Sequence, residues 1–106
     1  LEYVNTHMTE DISVRDIADA LNVSQSYLSH AFKKSTGYGL WNYVISKRLV
    51  YAQKLLVEGI SVTEACYESG FRDYAHFIKS FTKTFGCSPK QYGKEEPSSY
   101  MVKLYL

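Results

Sequence analysis

Cysteine is scarce: Cys66 and Cys87 lie far apart, with no CxxC pair. This excludes a disulfide framework and points to free thiols in a reducing compartment, which makes the cytoplasm the expected location. No run approaches the ~18 uncharged apolar residues of a membrane helix, and no charged n-region with a short apolar stretch marks a signal peptide. A soluble chain with no membrane partner is expected. Of the three histidines, His7 reads as a surface residue, and His30 and His76 have no Cys or carboxylate beside them at ligand spacing, so no metal site is expected. A Gly-rich phosphate loop and a set of nucleophile, base and orienter are also missing. Together these absences argue against an enzyme and call for no cofactor. The chain opens at Leu1 rather than Met, and Leu1, Tyr3, Val4 and Met8 follow a helical spacing. It is therefore expected to be cut from something longer.

Charge of one sign is also lacking: the net charge is only +1. The total hides an ordered distribution. Residues 1 to 23 carry five acids and one base, residues 24 to 57 five bases and no acid, residues 58 to 69 three acids, and residues 70 to 94 five bases and one acid. Within 106 residues that are 45% hydrophobic, enough for one domain with its own core, acidic and basic blocks alternate.

The alternation follows an internal repeat. When Ser13 to Gly37 is set against Ser61 to Gly86, Ser13-Val14 falls on Ser61-Val62, Asp16 on Glu64, Ala18 on Cys66 and Asn22 on Gly70. After one extra residue at the turn of the second copy, Leu28 falls on Phe77, Phe32 on Phe81, Lys34 on Lys83 and Gly37 on Gly86. Two copies are too few for a stacked array, which needs at least about three, so two related modules are expected.

Each copy opens with Ser at an N-cap and an acid three residues on; Ser61 with Glu64 is expected to form the full capping box. A short helix follows, with Val14, Ile17, Ala18 and Leu21 on its buried face in the first copy. Asn22 or Gly70 then supplies a left-handed residue for a sharp turn. A second helix starts at Ser24 or Asp73, with an expected buried stripe of Leu28, Ala31, Phe32 and Ser35, or of Phe77, Phe81, Thr84 and Phe85. It stops at Gly37 or Gly86. Two helices joined by a tight turn, the second longer and more basic, describe a helix-turn-helix with its reading helix.

Between the copies, residues 40 to 56 contain no Gly or Pro and are expected to form one rigid connecting helix. Ser88-Pro89-Lys90-Gln91 signals the start of a last short helix. The expected fold is all-α: a first helix-turn-helix subdomain over 1 to 37, a connecting helix over 38 to 58, a second subdomain over 59 to 93, and an apolar tail over 94 to 106 that packs on the domain or on a neighbour.

The outward face of the first reading helix is expected to present Gln25, Ser26, Ser29, His30 and Lys33; the second presents Ala75, His76, Lys79, Thr82 and Lys83. Lys79 and His30 suit guanine N7 or O6 in the major groove, and Gln25 or Ser29 suits adenine or the backbone. Lys33, Lys34, Arg72 and Lys83 suit phosphates, as do the main-chain N–H groups where the helices begin at Ser24 and Asp73. The candidate DNA-binding set is Ser24, Gln25, Ser26, Ser29, His30, Lys33, Arg72, Asp73, Ala75, His76, Lys79 and Lys83. Taken singly, each polar residue reads as ordinary solvated surface. Recurrence of faces, basic blocks and caps in both copies is what favours DNA.

Over about residues 1 to 93 the chain resembles the DNA-binding domain of the AraC/XylS family, including the output domains of YesN-like two-component response regulators. The carriers are Ile17-Ala18 before Val23-Ser24, Tyr27-Leu28-Ser29 before Phe32-Lys33, Gly37, Arg48-Leu49 with Ala52 and Leu55-Leu56, Gly70-Phe71 with Asp73, Phe77, Phe81-Thr82-Lys83, Phe85-Gly86, Ser88-Pro89 and Tyr92. The resemblance implies seven helices and two reading helices in successive major-groove segments. It implies base contacts from Ser26, Ser29 and His30 and from Ala75, His76 and Lys79. It also implies double-stranded promoter DNA and RNA polymerase as partners, and an upstream sensor, ligand-binding or receiver domain. The rival reading is a protein-interaction module whose reading helices bind another regulator, favoured by the short side chains of the first helix and the apolar tail.

Overall fold

Local capping chemistry decides where the helices start and stop. The computed structural model describes residues 1–94, so the expected packing of the apolar tail lies outside the described residues. Among the described residues there are seven helices and no strand: α1 Glu2–His7, α2 Val14–Ala20, α3 Gln25–Thr36, α4 Leu40–Val57, α5 Val62–Glu68, α6 Tyr74–Phe85 and α7 Pro89–Lys94. The fold is all-α, with two helix-turn-helix units (α2–α3 and α5–α6) and a long helix between them.

Ser13, Ser24, Ser61 and Asp73 each sit in extended backbone and accept an N–H from three residues on, satisfying a donor that the first helical turn leaves free. The reciprocal bond of a full capping box appears in the first unit rather than at Ser61. The Ser13 N–H donates to Asp16 Oδ2 at 2.8 Å, whereas Ser61 makes only its own half, accepting the Glu64 N–H at 3.2 Å. At Ser88 the box is complete, with both Ser88 N–H to Gln91 Oε1 and Gln91 N–H to Ser88 Oγ at 3.2 Å, and Pro89 at the first helical position.

The sharp turn inside each unit is a Schellman motif. Asn22 takes φ 58° and Gly70 φ 105°. Val23 N–H reaches back to the Ala18 carbonyl at 3.0 Å, and Phe71 N–H to that of Cys66 at 3.2 Å. The same device at Gly59 ends α4, where Ile60 N–H meets the Leu55 carbonyl at 3.0 Å.

The chain divides into two compact units, Leu1–Arg48 and the residues from Leu49 onward. In the first, α1 packs on α2 and α2 on α3. Val4, Ile12, Ile17, Ala18, Leu28, Leu40 and Val44 form the core, with Phe32 and Tyr43 half-buried against it. Arg48, only 5% exposed, donates from Nε to the Met8 carbonyl at 2.7 Å and from a terminal nitrogen to the Glu10 carbonyl at 3.0 Å. Its guanidinium also lies 5.3 Å from the centre of the Trp41 ring. One buried cation thus ties the α1–α2 connection to α4.

The second unit has an aromatic core. α5, α6 and α7 pack on one another, and ring pairs run from Phe71–Phe77 (5.1 Å) through Phe77–Phe81 (5.8 Å) to Phe81–Tyr92 (5.6 Å). Such pairs add about 0.5–1.5 kcal/mol each beyond their buried area. Leu49, Ala52, Leu55, Leu56, Ala65 and Cys66 are buried in the same unit.

Three expected core positions are exposed instead. Leu21 is 43% exposed because the helix ends one residue earlier and the turn carries its side chain outward. Ser35 and Thr84, seven residues beyond Leu28 and Phe77, are exposed too. The partner helices α2 and α5 have seven residues each against twelve in α3 and α6, too few to cover that last turn.

Candidate nucleic-acid interface

In each unit the turn seats the second helix with Leu28 or Phe77 pressed into the core, and the 3.6-residue repeat then decides what faces out. In α3 the centre of the outward face is Ser26, His30 and Lys33, flanked by Ser29 on one side and by Tyr27 and Lys34 on the other, all exposed. Gln25 is exposed as well, but it stands three residues before Leu28 and so leaves from the end of the helix rather than from this face. In α6 the corresponding face holds Ala75, Lys79 and Thr82, with His76 and Lys83 on one flank, again all exposed. Thr82 turns its hydroxyl back to the Ile78 carbonyl at 2.8 Å, which leaves its methyl group outward.

The helix starts are equally open. Ser24 and Asp73 are exposed caps, and Arg72 is exposed in the turn beside Asp73. The Asp73 carboxylate accepts the His76 backbone N–H at 3.1 Å. Its formed contact is thus the cap, and it places a negative charge where Ser24 places none.

The electrostatics of the two helices match. Neither α3 nor α6 contains an acidic residue, whereas α2 and α5 carry Asp16, Asp19, Glu64 and Glu68. Among the described residues, Lys33, Lys34, Arg72, Lys79 and Lys83 form no ion pair and no side-chain hydrogen bond. Lys33, Lys34 and Lys83 stand in the last helical turns, where the helix dipole favours cations.

Cys66 and His7 lie outside this face. Cys66 is fully buried, and burial pushes its thiol up to about 11, the Asp73 carboxylate adding to the shift. His7 stacks on Tyr3 and bonds Glu10 at 2.6 Å, away from both reading helices. Among the described residues no group of three or more His, Cys, Asp or Glu is placed to hold a metal ion. No helix there is long and apolar enough to cross a membrane.

Two residues have no role in the sequence pattern beyond the resemblance. Tyr27 is 65% exposed, and its place next to the buried Leu28 is the available signal. Arg48 is buried on two carbonyls of a connection 38 to 40 residues away, which no local pattern reveals.

Two turn-linked helix pairs, each presenting an exposed second helix free of carboxylates, define a tandem helix-turn-helix protein. The residue pattern of the helix-turn-helix domain family matches residues 17–95, and the chain belongs to the AraC-type helix-turn-helix family. The Msm operon regulatory protein of Streptococcus mutans is 36% identical over 93 residues, which is 87% of this chain and 34% of that protein. The chain thus spans about a third of that relative's length. Among solved structures, the C-terminal domain of the two-component response regulator yesN from Fusobacterium nucleatum superposes with a TM-score of 0.81 at 29% identity, covering 88% of this chain and 92% of that one. The DNA-binding domain of AdpA, a global transcriptional factor solved in complex with a target DNA, superposes with a TM-score of 0.82 at 25% identity, covering 96% and 89%.

Proposed function

We propose that this chain is the double-stranded-DNA-binding domain of a bacterial transcription regulator, with α3 and α6 as its reading helices in successive major-groove segments. The carrying observation is that both helices present an exposed face with no acid and with cations that have no partner among the described residues, Lys34 and Lys83 standing in register across the repeat. Lys33, Lys34, Arg72 and Lys83 supply phosphate contacts that fix orientation. Ser26, Ser29 and His30 on α3, and Ala75, His76 and Lys79 on α6, meet base edges. Gln25 and the helix-start N–H groups at Ser24 and Asp73 complete the set. The family membership and the DNA-bound relative AdpA support this reading.

In the whole protein we place this domain beside an upstream sensor, ligand-binding or receiver domain, in the cytoplasm, at promoter DNA and within reach of RNA polymerase. The support is that the chain fills about a third of an operon regulator and most of a response-regulator C-terminal domain. The role is non-enzymatic: the domain positions the regulator on DNA.

The test is a fluorescence-anisotropy titration of the 106-residue chain on a random-sequence duplex at several salt concentrations. Four phosphate contacts give a slope of log K against log salt of about −3.6, at about −0.9 per contact. Undetectable binding at low salt, or binding that ignores salt, overturns the proposal.

A further inference from the structure

We propose that Tyr27 contacts a DNA phosphate, and that with Lys34 it forms a backbone-gripping flank on α3, the counterpart of the Lys83 flank on α6. The proposal rests on the DNA-binding reading and adds a residue to it. Tyr27 stands in the first turn of α3, held there by its backbone N–H bond to the Ser24 hydroxyl at 3.1 Å. Its ring is 65% exposed, and its hydroxyl has no partner among the described residues. A large aromatic side chain left in water on a helix whose Leu28 is buried is set apart from the core.

Two further features give it a partner. Lys34 follows seven residues later, within about 20° of Tyr27 around the helix and about 10.5 Å along it, so the two side chains share one flank but reach different phosphates. The same pairing recurs in the second unit: His76 aligns with Tyr27 and Lys83 with Lys34, and both are exposed on the same flank of α6. In both units a polar-tipped ring is followed by a lysine seven residues on. The rest of the helix face fits this use. Ser26 and Ser29 are short, so α3 can sit deep in a major groove about 12 Å wide. Besides Lys33, the long side chains on its flank then reach the wall of phosphates. A tyrosine hydroxyl does so as a neutral donor, without releasing a counterion.

The test compares the wild-type chain with Tyr27→Phe and Lys34→Ala, by anisotropy on the random-sequence duplex and on a duplex selected for tight binding. Tyr27→Phe keeps the exposed ring and removes only the hydroxyl, so folding is not at issue. It is expected to weaken both duplexes about threefold to tenfold, the size of one hydrogen bond to an anion, with the salt slope unchanged. Lys34→Ala is expected to weaken binding and to make the slope shallower by about 0.9. Wild-type binding with Tyr27→Phe within 1.5-fold of it overturns the contact and leaves the DNA-binding reading intact. A loss confined to the selected duplex overturns the phosphate role in favour of a base contact. Failure of the wild type on every duplex overturns both readings.

Discussion

Arg48→Met removes the one buried cation that ties the α1–α2 connection to α4. Methionine keeps an unbranched apolar stem of similar length, so the change removes the two hydrogen bonds to the Met8 and Glu10 carbonyls, at 2.7 and 3.0 Å, together with the guanidinium's contact with the Trp41 ring. The Met8 carbonyl then faces a side chain that cannot donate, at a cost of about 1–3 kcal/mol, whereas the Glu10 carbonyl keeps the Ile12 N–H at 2.9 Å. Release of the guanidinium from its buried site offsets part of this. A net destabilisation of about 1–2 kcal/mol is expected, a sizeable share of the 5–15 kcal/mol that is typical of a domain. For a domain of this size, each kcal/mol lowers the melting temperature by about 4–8 °C. Trp41, the sole tryptophan, lies against Arg48 and reports on the first unit, so urea unfolding followed by its fluorescence is the assay. Arg48→Lys, a point charge without the fork that bridges two carbonyls, should fall between wild type and Met. An Arg48→Met variant within about 0.5 kcal/mol of wild type would refute the reasoning, since it would mean that the clamp contributes nothing net.

Three other outcomes follow from the same geometry. Asn22 holds φ 58°, so Asn22→Val should destabilise the chain by at least about 1–2 kcal/mol in thermal melts while Asn22→Gly is neutral or better; equal melting temperatures would show that the turn is not under this constraint. The Cys66 thiol, raised from about 9 to about 11, stays protonated below pH 9 whether the chain is folded or unfolded. Above that the unfolded chain gives up its proton first, so stability falls as pH rises from about 9 to 11. The urea midpoint of Cys66→Ala should lack this component, and identical slopes would contradict the assignment. Lys79→Ala should weaken a selected duplex by about 1–3 kcal/mol and a random duplex much less; equal losses on the two would reduce Lys79 to a phosphate contact.

What the sequence made legible is what neighbouring residues decide. Caps at Ser13, Ser24, Ser61, Asp73 and Ser88, left-handed turns at Asn22 and Gly70, and stops at Gly37 and Gly86 depend on one side chain and the adjacent backbone, and they stand where expected. The long helix also follows from residues free of Gly and Pro and runs unbroken over Leu40–Val57. Burial was less legible, because it depends on what lies opposite. Leu21, Ser35 and Thr84 have the right spacing for the core and are exposed, because the helix beside them is too short or has ended. Arg48 carries no burial signal of its own and is buried, because the carbonyls it serves come from a connection distant in sequence. On the candidate site, the outward faces of α3 and α6 followed from helical period. That their cations lack partners among the described residues is a matter of tertiary structure, as is the exposure of Tyr27.

Selection of bound sequences from random duplex DNA by the purified chain tests the central claim most directly. Two reading helices working together predict an enriched motif with two half-sites about one helical turn (~10 bp) apart, one degraded by substitution of His30 and the other by substitution of Lys79. A single half-site indifferent to Lys79→Ala, or no enrichment at all, would contradict the account.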